Sequence, residues 1–155
     1  MPNTLDYLPV PFFKRLISIL YDLILLIAVC FAVAAIMSIV TTFLFNDGNA
    51  ITEVHPLYML NQFIMLFTIF MTSMSFLIWF WHRGGQTLGM KTWRLKLVSD
   101  SGEAISWKQA IIRFFAATLS WGFFGLGFLW CLIDDKNRGW HDILSSTHLV
   151  QLEKK

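Results

Sequence analysis

The sequence contains few charged residues. They make up only 14% of the 155 residues, whereas soluble domains carry about 25%. This shortage excludes an ordinary soluble globular domain and leaves no room for a second soluble domain beyond short polar pieces. Hydrophobic residues, in contrast, make up 56% of the chain. We therefore expect residues 1–155 to form one integral membrane domain of the all-α class.

Cysteine and recognisable catalytic motifs are scarce as well. Cys30 and Cys131 lie in apolar segments without a Cys or His at ligand spacing, which excludes a disulfide framework or a zinc motif. No Ser-His-Asp, Cys-His or paired-carboxylate arrangement is recognisable, so we expect no enzyme, no metal and no cofactor. The basic residues flank apolar segments, and attraction to anionic membrane lipids explains them without a nucleic-acid partner.

Two apolar runs are long enough to cross a membrane. A bilayer core of about 30 Å needs roughly 20 apolar helical residues, and the runs at about 16–44 and 57–81 both meet this length. The first is too long for the apolar part of a cleavable signal, so we interpret it as a retained span. The second ends in Trp79 and Trp81, residues typical of the membrane interface.

The placement of basic residues predicts the orientation of these spans. Residues 46–56 contain no Lys or Arg, whereas the segment after the second span is basic. Because cytoplasmic loops are enriched in Lys and Arg, we expect a cytoplasmic loop at 82–106 and a cytoplasmic N-terminus.

Part of this cytoplasmic loop predicts a small β-hairpin. Residues 93–99 alternate between apolar and polar, 100–102 form a turn signal, and 103–106 could return as a second strand. Residues 148–153 also alternate and could add a third strand.

The third apolar segment, 107–133, allows two interpretations. Gly122, Gly125 and Gly127 interrupt it, and a full third span would place the basic tail, 134–155, outside against the charge rule. A re-entrant or broken segment, the interpretation that we favour, keeps the tail in the cytoplasm. Non-helical backbone at membrane depth is tolerated where protein buries it. Ser106 is a candidate N-cap for a helix that starts this segment.

Asp22 is the only carboxylate inside the first apolar run. A charge at mid-membrane costs about 2.5–3.5 kcal/mol on insertion scales, so such residues are usually functional or paired. Arg15 and Ser18 share its helix face, but the rise from Arg15, about 10 Å, is too long for an easy salt bridge. Asp22 is therefore a structural ion-pair partner, a cation or proton site, or a carboxyl that simply protonates. Its candidate partners from other segments are Arg113, Arg138 and His141.

Two further motifs follow the spans. Asp142 in RGWHD could meet Arg15 at the cytoplasmic boundary. The stretch GGQTLGMK lacks the spacing of a phosphate-binding loop, and we interpret it as a sharp interfacial turn. The residues of that turn motif are Gly85, Gln86, Thr87, Gly89 and Lys91.

Together these motifs resemble the RDD family, small bacterial membrane proteins named for one Arg and two Asp. Arg15 corresponds to the Arg, Asp22 to the first Asp and Asp142 to the second, while GGQTLGMK is similar to the family's G-Q-T-x-G-K element. The chain departs from the family pattern at Trp140, where Leu is common, and at Ser146, which replaces a Gly.

The resemblance implies a multi-pass protein of the bacterial inner membrane, with a role in transport. We favour a transport component for a cation or proton that acts as a homo-oligomer, since three short apolar segments cannot enclose a path alone. The alternative is a non-transporting assembly module that docks a membrane partner protein and in which Arg15, Asp22 and Asp142 are structural.

Overall fold

The computed structural model describes residues 8–45, 48–49 and 55–152. The predicted external loop, 46–56, lies largely outside these residues. Glu153, the predicted end of the C-terminal strand, lies outside them as well. The elements in chain order are β1 (Leu8–Pro9), α1 (Phe12–Phe45), α2 (Tyr58–Gly84), α3 (Leu88–Thr92), β2 (Leu95–Ser99), α4 (Trp107–Gly122), α5 (Leu126–Leu129), a 3₁₀ turn (Trp130–Leu132), α6 (Trp140–Leu144) and β3 (Thr147–Gln151).

The two long helices confirm the prediction of two membrane-spanning helices. α1 has 34 residues and α2 has 27, and both are long and apolar enough to cross a membrane. α1 begins before residue 16 and α2 ends after residue 81. The helices extend beyond the predicted spans at these two ends, and the added residues include Arg15 and Arg83. Arginine is a good helix former, and its long side chain can reach the polar boundary of a span.

The third apolar segment is broken, as the sequence predicts. α4 and the helical residues 126–132 meet at an angle of 109°. At the bend, Phe124 and Gly125 have φ values of 53° and 78°, and this left-handed backbone stops the α4 helix. Ser106 caps the start of α4, since its hydroxyl accepts from the Gln109 N–H and the Gln109 side chain accepts from the Ser106 N–H.

The strands form one antiparallel sheet in the order β1-β3-β2. The small sheet is confirmed, but the predicted partner of β2 is wrong: Leu97 lies opposite Leu149 of β3, and residues 103–106 form no strand. The physical reason is the capping box, which commits Ser106 to the start of α4. β1 pairs with the other edge of β3, and no pattern in the sequence predicts so short a strand.

The chain divides into two compact units. One contains residues 8–22 and 77–152, with the sheet and helices α3 to α6, and the other contains Leu23–Phe76. In the second unit, Cys30 Sγ lies 3.4 Å from Ser73 Oγ. The first unit buries most of the polar side chains that the sequence singles out, so the candidate site is described within it.

Candidate functional site

Asp142 lies between two arginines. Arg15 Nη1 donates to Asp142 Oδ2 at 2.9 Å, and Arg113 Nη1 donates to Oδ1 at 2.5 Å. The three residues are only 6%, 2% and 0% exposed, for Arg15, Arg113 and Asp142 respectively. The structure therefore brings together Arg15 and Asp142, which the sequence suggested could meet, and adds Arg113 as the second partner of Asp142.

Local backbone geometry fixes the position of Asp142. It lies in the first turn of α6 and accepts the Gly139 N–H at 3.0 Å. A Cβ at Gly139 would lie 2.7 Å from the His141 ring and 2.9 Å from the Gly127 carbonyl oxygen, so this start of α6 needs a glycine. Asp142 is thus oriented by the backbone of its own helix as well as by the two arginines.

Buried hydroxyls complete the surroundings of this carboxylate. Arg113 Nη1 also donates to Thr147 Oγ1 at 2.9 Å, and Thr147 Oγ1 lies 2.7 Å from Ser145 Oγ. The Arg113 guanidinium lies 5.4 Å from the centre of the Trp81 ring, where a cation is attracted to the ring face. Sequence reasoning missed Ser145 and Thr147, and only their closeness to Asp142 along the chain could have pointed to them.

The charges of this cluster follow from its burial and its partners. Burial opposes ionisation of Asp142, but the Arg113 and Arg15 charges outweigh it and hold the pKa of this carboxyl well below its usual range. His141 Nε2 lies 3.6 Å from Asp142 Oδ1, yet burial and the two arginines lower the pKa of His141 to about 3. At neutral pH the cluster therefore holds one carboxylate, two guanidinium groups and a neutral imidazole.

Asp22 has a different environment. The Thr87 hydroxyl donates to its Oδ2, and the Gly89 N–H donates to its Oδ1 at 2.8 Å. Neither donor carries a charge, and among the described residues no cationic group lies within salt-bridge distance of Asp22. Asp22 is nonetheless buried.

The predicted charged partners of Asp22 do not contact it. Arg113 and His141 lie at Asp142, and Arg138 Nε pairs with Asp134 Oδ2 at 3.4 Å. The sequence analysis looked for a charge to pair with a charge, whereas the fold brings a hydroxyl and a backbone amide. The signal for this was present: Thr87 precedes a short helix and occupies its N-cap position.

The GGQTLGMK segment places these two donors. Gly85 has a φ of 64° and its carbonyl accepts the Leu97 N–H at 2.6 Å, while Gln86 Nε2 donates to the Leu95 carbonyl at 2.6 Å. These contacts fix the segment against β2. Thr87 then caps α3 by accepting the Met90 N–H at 3.3 Å while it donates to Asp22.

Gly89 allows this segment to approach α1 closely. A Cβ at Gly89 would overlap the Ser18 carbonyl oxygen and lie 2.8 Å from the Asp22 carboxyl carbon. Only a residue without a side chain brings its N–H to this carboxylate. Lys91, the last residue of the predicted turn motif, is exposed in the last turn of α3.

Ser18 lies one turn before Asp22 on the same helix. It is 2% exposed, and its hydroxyl has no hydrogen-bond partner among the residues that the structure describes. The polar groups identified at Asp22 are thus its carboxyl, the Thr87 hydroxyl and the Gly89 N–H, with the Ser18 hydroxyl one turn earlier on the same helix. The carboxyl can bind a proton, and carboxylate and hydroxyl oxygens can bind an alkali cation. In the described parts of the chain, no three His, Cys, Asp or Glu side chains cluster as metal ligands.

Comparison with known proteins agrees with the motif resemblance. The sequence pattern of the RDD family matches residues 9–146. Over 64 residues the chain is 42% identical to "Uncharacterized protein YxaI" of Bacillus subtilis (strain 168), a match that covers 41% of this chain and 42% of that protein. The matched region is thus less than half of that relative. No solved structure matches the chain.

Proposed function

The chain belongs to the RDD family of small membrane proteins, and from this premise we propose that it is a transport component for a cation or a proton. In this proposal Asp22 is the exchanging group and the Arg15–Asp142–Arg113 cluster is a fixed brace. The observation that carries the proposal is the absence of a basic partner for Asp22 among the described residues, although Asp22 is buried in a membrane-spanning helix.

The contacts of Asp22 suit a group that changes its charge. A carboxylate paired with arginine stays ionised, because the cation stabilises the charged form. The Thr87 hydroxyl and the Gly89 N–H stabilise a carboxylate less strongly, and one carboxyl oxygen can still accept a hydrogen bond when the other is protonated. The unpartnered Ser18 hydroxyl provides one more oxygen on the preceding turn.

The Asp142 cluster is suited to a structural role in this scheme. Every carboxylate oxygen of Asp142 accepts from an arginine, and the residue is fully buried. Removal of one partner from a buried ion pair is strongly destabilising, which is the expected property of a brace. It joins the helices α1, α4 and α6 within one unit.

The sheet supports the proposed topology. It joins segments that precede α1, follow α2 and follow the broken third segment. If α1 and α2 both cross the membrane, these three segments lie on one side, and the third segment does not cross. Because that side carries the basic loop, we place it and the N-terminus in the cytoplasm of a bacterium, with the protein in its inner membrane.

A path for an ion requires more than one chain. Two spans and a broken segment expose many large apolar side chains, among them Phe31, Phe43 and Phe63, and cannot enclose a polar route alone. We therefore propose a homo-oligomer surrounded by lipid. The proposal needs no cofactor, no nucleic acid and no enzymatic activity.

Substitution of Asp22 by Asn tests the exchange role. Asn keeps the shape and an oxygen for the Gly89 N–H but cannot take up or release a proton at this position, so we expect ion-dependent flux to be lost. Purified protein in liposomes that contain a pH-sensitive dye reports proton movement when a sodium or potassium gradient is applied. Asp135→Asn, the same change at an exposed carboxylate, is the control and should leave flux unchanged.

Two outcomes would contradict the transport proposal. Flux in Asp22→Asn equal to that of the wild type would remove Asp22 from the mechanism. Wild-type protein that is folded and oligomeric but moves neither protons nor cations would reject transport itself.

The second candidate function is a membrane assembly module without transport. The observation that favours it is that both carboxylates already have internal hydrogen-bond donors. This alternative predicts no flux in liposomes, a lower folded yield for Asp22→Asn, and a partner protein that copurifies at fixed stoichiometry.

A further inference from the structure

A surface at the end of α2 combines two indole rings with an arginine. Trp79, His82 and Arg83 are spaced i, i+3 and i+4, so they share one face of the helix. The Trp107 ring, at the start of α4, stacks on the His82 ring with 4.2 Å between centroids. We call these four residues the Arg83 patch. Its two indoles are each about half exposed, at 49% and 50%.

The charge of this patch has no counter-charge in the described part of the chain. Arg15, Arg113 and Arg138 each pair with a carboxylate, but among the described residues no carboxylate lies within salt-bridge distance of Arg83. Its guanidinium lies instead 5.2 Å from the centre of the Trp79 ring. That contact holds the group in place while its N–H donors remain free for an external acceptor. Lys108, next to Trp107 in the chain, is also exposed.

The patch is built in advance of any ligand. His82 Nδ1 lies 2.7 Å from the Ile105 carbonyl oxygen, and the capping box at Ser106 fixes the first turn of α4 directly beside it. His82 therefore links the end of α2 to the start of α4 by two contacts, its hydrogen bond with the Ile105 carbonyl and its stacking on the Trp107 ring. A ligand that contacts Arg83 and Trp107 meets groups that are already positioned, which lowers the entropic cost of binding.

The location of the patch indicates which ligand fits it. Arg83 is in the last turn of a membrane-spanning helix, where indole rings lie at the level of the lipid headgroups. A planar guanidinium binds phosphate with paired hydrogen bonds. We infer that the Arg83 patch binds the phosphate of an anionic phospholipid, with the headgroup on Arg83 and the glycerol and upper acyl region against the indoles.

Competition between two lipids tests this inference. Delipidated full-length protein in detergent is mixed with equal amounts of phosphatidylglycerol and phosphatidylcholine that have identical acyl chains, and retained lipid is measured by native mass spectrometry. We expect wild-type protein to retain phosphatidylglycerol preferentially. Arg83→Gln should reduce that preference about fivefold, the effect of one basic residue at an anionic surface.

Arg94→Gln is the matched control. Arg94 is exposed in the same unit and outside the patch, so its substitution removes an identical charge and should leave the preference nearly unchanged. Equal losses in both variants would show diffuse attraction to negative lipid and would overturn the inference. No phosphatidylglycerol preference in the wild type, or an equal loss of both lipids in Arg83→Gln, would overturn it as well.

Discussion

Asp142 and Asp22 are both buried carboxylates of the same unit, yet the groups around them differ in kind. Asp142 accepts from two guanidinium groups, and Asp22 accepts from a hydroxyl and a backbone amide. Charged donors hold a carboxylate in its ionised form, whereas neutral donors bind it with less preference between its two charge states. This difference in donors is the basis for the proposal above, in which Asp142 is a structural brace and Asp22 is the exchanging group.

The largest effect is expected from Asp142→Asn. This change leaves Arg15 and Arg113 as buried cations without a counter-charge, which costs about 3–5 kcal/mol. We expect a loss of folded, monodisperse protein in detergent and a lower midpoint in an SDS titration followed by circular dichroism. The exposed Asp135→Asn serves as the control. A midpoint for Asp142→Asn within the error of that control would remove the contrast between the two regions.

Acidification should act on the Asp142 region through His141. The pKa of His141 is lowered from 6.5 to about 3 in the fold, so the unfolded chain takes up the proton more readily and stability falls as the pH drops below 6.5. Between pH 6.5 and 5 the loss is about 2 kcal/mol. His141→Gln should remove this dependence from the SDS titration, while His148→Gln, at a partly exposed position of β3, should retain it. A dependence that persists in His141→Gln would assign it to another group.

The smallest of these effects is expected at Asp22. Thr87→Val keeps the shape of the side chain but removes the hydroxyl that donates to Asp22 and caps α3, a loss of about 1–2 kcal/mol. Thr92→Val removes a hydroxyl from the same helix at an exposed position, where it donates to the Leu88 carbonyl, and should change stability little. A cost for Thr87→Val as large as that for Asp142→Asn would make the Asp22 region equally structural.

Much of this architecture could be predicted from the sequence, because it depends on long-range hydrophobicity. The two long helices follow from uninterrupted apolar runs, and the break in the third segment follows from its glycines. The meeting of Arg15 and Asp142 was also foreseeable, since both are rare charges at the ends of apolar segments and opposite charges seldom remain buried apart.

The neutral contacts were not foreseeable in the same way. Thr87 is recognisable only as a residue type that caps helices, and nothing in the sequence links it or Gly89 to Asp22. Their role depends on the close approach of the Gly89 backbone to α1. The third strand predicted at 148–153 is present as β3, but its direct pairing with β2 was not predicted, for a related reason. A turn at residues 100–102 makes a local hairpin plausible, and only the helix cap at Ser106 decides against it.

The central position of β3 constrains the order in which the protein is assembled. β1 and β2 do not pair with each other, and each is joined to the sheet only through β3. Asp142 lies just before that strand, so both the sheet and the arginine cluster remain incomplete until the ribosome has passed residue 151. Both long helices are already synthesised at that point, so the sheet and the arginine cluster can form only after α1 and α2.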